Sequence, residues 1–245
     1  MFPIRDHNPS QNVPWVTYGL IAANILIFLS YAGLFNDPPR LNALFWDWAL
    51  IPARVSEGEA LSGFLTSIFL HGGVMHLAGN MLFLWVFGDN LEDEMGALGF
   101  LIFYLACGVA AGLAQYLAEP FTPIPMVGAS GAIAGVMGGY LLLFPRAKVD
   151  ILFIFIVIFR IIPVPAWIML ALWFGLQVLR GVGADTGSGG VAYWAHAGGF
   201  VIGALLAIPL WLRLGGPRFW VRTHGHPPHP DATYRRSSVP VVRKR

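Results

Sequence analysis

Charge is what this sequence has least of. Only 11% of its 245 residues are charged and 56% are hydrophobic, with a mean hydropathy of +0.65. A soluble globular domain carries about 25% charged residues. A chain this poor in charge cannot cover itself in water, which excludes an ordinary soluble domain and points to lipid as the surroundings. Cysteine is nearly absent as well: Cys107 stands alone, ruling out an intramolecular disulfide and a cysteine-based metal site. The His-Glu-x-x-His pattern of a helical zinc site is missing too, and His71 and His76, five apart, match poorly as two ligands on one helix. The long apolar runs lack charged residues, so the proton relay of a coupled transporter has nothing to run on.

What the sequence does have is apolar segments, to be compared with the roughly 20 residues that cross a bilayer core. The first runs from Val16 to Leu34. It exceeds the about 7–15 residues of a signal-peptide core, and no small-residue cleavage pattern follows, so it is expected to be a retained helix. A polar connection follows, and its Trp46 and Trp48 are indoles suited to a membrane interface. A second span ends near Phe87, before the acidic stretch Asp89, Glu92, Asp93 and Glu94. A third covers Leu98 to Leu117 and a fourth Ser130 to Phe144, separated by the Pro-rich passage 119–125. The region Ile151 to Leu179 is too long for one span. Its β-branched run Ile151–Phe159 reads as an extended or partly inserted connection, and the fifth helix as Ala166 to Leu179 after Pro163 and Pro165. A Gly-rich linker, Gly181 to Gly190, leads to a sixth span, Val191 to Leu212. The expectation is an N-terminal segment 1–13, a membrane domain 14–213 and a disordered basic tail 214–245, whose His224, His226 and His229 are solvated.

Six helices return the chain to the side on which it began. That side holds Arg5, Arg146, Lys148, Arg160 and a tail with eight basic residues from Arg213 to Arg245; the other holds Arg40, Arg54 and Arg180. Lys and Arg accumulate on the cytoplasmic side, so both termini are expected there. Arginine dominates lysine, and Ala, Gly and Pro are plentiful, pointing to a GC-rich bacterial source and its plasma (inner) membrane.

Polar groups inside spans are costly and each needs an account. Three places stand out: His71, His76 and Asn80 at the second span, Gly128-Ala129-Ser130-Gly131 at the start of the fourth, and Ala195-His196 at the start of the sixth. Alternation of the spans puts all three in the outer half of the membrane. Ser130 has two readings. It is a helix N-cap, or it is a nucleophile, which needs a base to take its proton, and His196 offers one at matching depth. Gly131, Gly135 and Gly139 on one helix, with Gly199 and Gly203 on the other, would let the two helices approach closely. His76 and Asn80, four apart, share a helix face and could donate to an oxyanion together with the Ser130 backbone N–H.

His71-Gly-Gly-Val-Met-His76-Leu-Ala-Gly-Asn80, Gly128-Ala-Ser130-Gly131 and Ala195-His196-Ala-Gly198-Gly199 with Gly203 resemble, in order and spacing, the rhomboid intramembrane serine proteases. The similarity covers residues 14–213. It implies an all-α polytopic membrane protein with a six-transmembrane-helix bundle, a serine endopeptidase with Ser130 as nucleophile and His196 as base. It also implies an oxyanion hole of His76, Asn80 and the Ser130 amide, no cofactor or metal, and no third acid in the dyad; Asp185 lies in the linker. Its partners would be the lipid bilayer and transmembrane protein substrates, cut near the outer end of a helix, and not nucleic acid. Ala134 stands where members often carry an aromatic ring against the histidine, and Trp46 and Trp48 have no adjacent arginine. The alternative is a catalytically inactive rhomboid-like protein that binds membrane helices. Such proteins usually lack the serine or the histidine, and both are present here.

Overall fold

A computed structural model describes residues 2–8, 10–155, 158–183 and 190–228. In chain order the elements are β1 (Phe2–Asp6), α1 (Trp15–Tyr31), α2 (Pro38–Trp48), α3 (Pro52–Ser56), α4 (Gly63–Thr66), α5 (Val74–Met95), α6 (Ala97–Ala118), α7 (Ser130–Leu143), β2 (Lys148–Phe155), β3 (Ile158–Pro165), α8 (Ala166–Gly183), α9 (Tyr193–Leu214) and α10 (Pro217–Thr223). The chain is an integral, multi-pass membrane protein of the all-α class. Four helices are long and apolar enough to cross a bilayer: α1 with its 3-10 extension to Asn36, α6, α8 and α9. The stretch Gly63–Phe69 joins α5 at a 94° bend as a broken fifth, and α7 is a shorter apolar helix. They occupy the places of the six segments read from the sequence, of which four, or five with the bent pair, are long and apolar enough to cross.

The molecule is apolar on its outside. Leu98, Leu117 and Leu179 are each about 70% exposed, a distribution that lipid tolerates and water does not. α7 is the exception among the bundle helices. Eleven of its fourteen residues are buried, as expected of a helix apolar on every face. It runs through the middle of the bundle against α9, α6 and α5, so its N-terminus, where Ser130 sits, is enclosed by protein.

Several sequence-based boundaries move. α5 does not stop at Phe87 but continues through the acidic stretch to Met95. Carboxylates are disfavoured at a helix C-terminus, but Asp89, Glu92 and Asp93 have partners in the first turn of α1 and the chain before it. Glu92 accepts from the N–H groups of Val16 and Thr17 at 2.9 and 2.8 Å and from Thr17 Oγ1 at 2.8 Å. Asp89 accepts from Ser10 N–H, and Asp93 from Gln11 N–H and Asn12 Nδ2. The fifth helix extends four residues past Leu179, to Gly183.

The β-branched connection is extended, as one of its two readings had it. β2 and β3 form an antiparallel hairpin, and β1 pairs antiparallel with β2 to complete a three-stranded sheet in the order β1-β2-β3. Pro163 and Pro165 lie in β3, an edge strand, where proline is tolerated, directly before α8. Part of the tail read as disordered is ordered: α10 follows α9, and Arg146 N–H donates to Gly225 O at 2.9 Å. Asp185 and His229 lie outside the described residues.

Candidate active site

The chain reaching Ser130 is pinned before the helix begins. Met126 and Leu50 exchange two backbone hydrogen bonds of 2.8 and 3.1 Å, and Gly128 N–H donates to Ser67 O at 2.9 Å. Gly128 lies in the left-handed region at φ +128°, and a Cβ there would stand 2.8 Å from the His76 ring. Backbone angle and space both require glycine. Ala129 occupies the N-cap position and no side chain caps the helix, so the capping reading of Ser130 falls. Its Oγ stands instead 2.7 Å from His196 Nε2.

His196 lies in the first turn of α9, where Gln115 Oε1 of α6 accepts the Ala195 N–H at 3.2 Å. Serine and histidine meet because α7 and α9 touch backbone to backbone. A Cβ on Gly199 would strike Gly131 O, on Gly203 Gly135 O, and on Gly138 Phe200 O. The four-residue glycine spacing anticipated this seam only in part. Gly138 was outside it, while Gly139 meets Leu91 and Phe103 as well as Ala207.

His76 and Asn80, one turn apart on α5, face the same place. His76 Nδ1 accepts from Gly72 N–H at 3.3 Å, which leaves Nε2 as the ring's donor. Asn80 is 7% exposed, and its Nδ2 is buried without a hydrogen-bond partner. Buried donors are normally satisfied, and an orphan calls for an explanation. A cavity of ≈ 880 Å³ supplies one, because it brings His76, Asn80, Gly128, Ser130 and His196 to a single space. An oxyanion formed beside Ser130 would find there the amide of Asn80, the ring of His76 and the unbonded N–H groups of a helix start. His71 packs edge to face on His76 at 5.2 Å, and its backbone N–H and carbonyl are both held by the Tyr31 hydroxyl at 2.6 and 3.0 Å. It belongs to the bend before α5.

Residues 58–213 match the Rhomboid domain. The chain belongs to the rhomboid family. It is 32% identical over 196 residues to Rhomboid protein 1, mitochondrial, of Saccharomyces cerevisiae, covering 78% of this chain and 51% of that protein. It is 38% identical over 130 residues to Rhomboid protease GluP of Bacillus subtilis, covering 52% and 24%. It is 30% identical over 138 residues to the human Presenilin-associated rhomboid-like protein, mitochondrial, covering 56% and 35%. The chain thus spans about half the length, or less, of these rhomboid relatives.

Two contacts to the rhomboid histidine escaped the sequence reading. His196 Nδ1 stands 2.9 Å from Gln177 Oε1, and Trp173 lies against the imidazole with ring centroids 5.8 Å apart and planes tilted by 33°. Both come from α8. Their signal was present: Gln177 is the one amide in the apolar run Ala166–Leu179, with a tryptophan one turn before it.

Proposed function

We propose that the chain is an intramembrane serine endopeptidase that cleaves transmembrane segments of membrane-anchored proteins through a Ser130–His196 dyad. The observation that carries this reading is the 2.7 Å approach of His196 Nε2 to Ser130 Oγ, within reach of direct proton transfer, at the wall of a cavity holding an orphaned amide donor. Ser130 Oγ attacks the scissile carbonyl carbon while His196 Nε2 takes its proton. The carbonyl oxygen, now negative, is held by Asn80 Nδ2, His76 Nε2–H and the Ser130 N–H. The intermediate collapses as the imidazolium protonates the leaving amine, leaving an acyl-serine. Water, deprotonated by His196, attacks that ester, and the proton returns to Ser130 Oγ as the new carboxyl terminus departs. No cofactor takes part.

Substrate helices are proposed to enter between α5 and α8. Phe83 of α5 and Trp173 and Gly181 of α8 line the cavity on this side, and α8 packs chiefly on α9. A disulfide tying α5 to α8 that left cleavage unchanged would refute this route. Both termini are assigned to the cytoplasmic face on the Lys/Arg distribution. The membrane is assigned to a bacterial plasma (inner) membrane on composition alone, since the relatives named above include mitochondrial proteins as well as a bacterial one.

The reading is tested with full-length protein in detergent or liposomes and a fluorescently tagged transmembrane substrate. Wild type is expected to cleave it, and Ser130→Ala and His196→Ala to leave it intact while keeping the wild-type thermal midpoint. Cleavage that persists in Ser130→Ala would end the proposal.

A further inference from the structure

The dyad leaves one end of the base unexplained: what holds His196 Nδ1. A neutral imidazole carries a single ring proton, and its location decides the chemistry. For His196 to accept from Ser130, that proton must sit on Nδ1. Gln177 Oε1, 2.9 Å from Nδ1, can only accept, so it selects that tautomer. The opposite amide orientation would aim an NH₂ at Nδ1, move the ring proton to Nε2 and leave nothing to receive the serine proton.

We propose that Gln177 is the positioning residue of the base, holding His196 as its Nδ1–H tautomer with Nε2 free toward Ser130, while Trp173 limits rotation of the ring. This rests on the dyad reading given above. Three observations support it beyond the distance. Gln177 is 8% exposed in a run, Ala166–Leu179, that is otherwise apolar, where an unpaired amide is expensive, so ring and amide satisfy each other. Residues 173 and 177 are one turn apart and reach the same imidazole from the same helix face. Ala134, fully buried on α7, leaves the histidine without an aromatic neighbour from its own seam, and the Trp173 indole of α8 stands on it instead.

The choice of an amide has a physical reason. When Nε2 takes the serine proton the ring becomes a cation, still donating Nδ1–H to Gln177. A carbonyl dipole stabilises that cation without burying a permanent negative charge in the resting bundle, a charge that is costly at this depth. A carboxylate at the same place would hold the cation more tightly and would also hold it at rest.

The test uses full-length protein with ¹⁵N-labelled histidine in detergent, the His196 signals being identified by their loss in His196→Ala. Wild type is expected to show Nδ1 protonated and Nε2 unprotonated; Gln177→Leu is expected to show a mixture of tautomers. On a transmembrane substrate, Gln177→Leu should lower kcat by about 10- to 100-fold through loss of orientation, with KM unchanged. Gln177→Glu should keep the ring oriented but reach the wild-type kcat only at higher pH, its acidic limb displaced upward because a neighbouring carboxylate favours the protonated ring. A merely space-filling Gln177 would move neither the tautomer nor the limb. Wild-type tautomer and kcat in Gln177→Leu, with Ser130→Ala inert, would overturn the proposal and leave the dyad standing. Cleavage by Ser130→Ala would remove the dyad instead, and the tautomer ratio alone would then decide whether Gln177 sets the ring.

Discussion

At one end of the bundle Glu92 spends its carboxylate on three donors at the start of α1, and Asp6 is bonded by Asn90 Nδ2 and the Tyr140 hydroxyl. At the other end, Asn80 Nδ2 is buried with no partner beside an ≈ 880 Å³ cavity. The terminal end closes its carboxylates on nearby donors, although Asn90 Oδ1 and Trp211 Nε1 are unpaired there; at the dyad end the unpaired amide donor stands beside a cavity. Since a net hydrogen bond stabilises by about 1 kcal/mol and an unmade buried one costs about 1–3 kcal/mol, the first arrangement serves stability. On the proposed function, the second gives stability up for a place where negative charge can form. Substitutions at the two ends should therefore separate activity from stability in opposite directions.

The largest separation is expected at Asn80. Losing one oxyanion donor typically lowers turnover about 100- to 1,000-fold, so Asn80→Ala should cleave slowly but measurably. Because the amide has no partner in the resting protein, its thermal midpoint should stay at or above that of wild type. Wild-type turnover on a helical substrate would remove Asn80 from the oxyanion site; a large drop in the midpoint would show that its amide is already engaged.

The converse is expected at Glu92. Glu92→Ala strands two backbone N–H groups and a hydroxyl at the start of α1 and should destabilise by about 2–3 kcal/mol. Its kcat at a temperature where it remains folded should equal that of wild type. A parallel fall in kcat would mean that the two ends are mechanically coupled.

How much of this was legible follows from the range of the interactions. Ser130, His196, His76 and Asn80 could be placed because spans alternate and motifs carry their own spacing. α5 was cut short at Phe87 because a run of Asp and Glu reads locally as a loop, and the donors that satisfy it belong to residues 10–17, more than 70 positions away. The sheet was half seen. β2 is β-branched and plainly extended, but β1 is five residues with no period, and it is a strand because it pairs with a segment some 145 positions later. Gln177 was passed over for a different reason. A single amide in an apolar helix looks like tolerated polarity until one knows which ring it faces, and that depends on the angle between α8 and α9.

The smallest effect, per step of the variable, belongs to the sheet, and it sharpens the comparison by its sign. Burial first, then the charge of Asp89, raise the Asp6 carboxyl from 3.8 to about 7, against hydrogen bonds from Tyr140, Asn8 and Asn90. The folded protein then keeps a proton that the unfolded chain releases. Stability from this group is fully present below about pH 4 and declines as the pH rises toward about 7, by at most about 1.4 kcal/mol per pH unit. Asp150, on the neighbouring strand, runs the other way. Burial raises its pKa, but hydrogen bonds from His7 and Arg5 and their charges more than offset this and hold it below 3.8, so its contribution is present above that value and is lost in acid. The difference in thermal midpoint between wild type and Asp6→Asn, followed from pH 4 to pH 8, should change steadily up to about pH 7 and then level off. A flat difference would mean that Asp6 is ionised within its network, and that the terminal end carries a buried charge where the hydrogen bonds of Asn90 and Tyr140 were taken to hold a neutral acid.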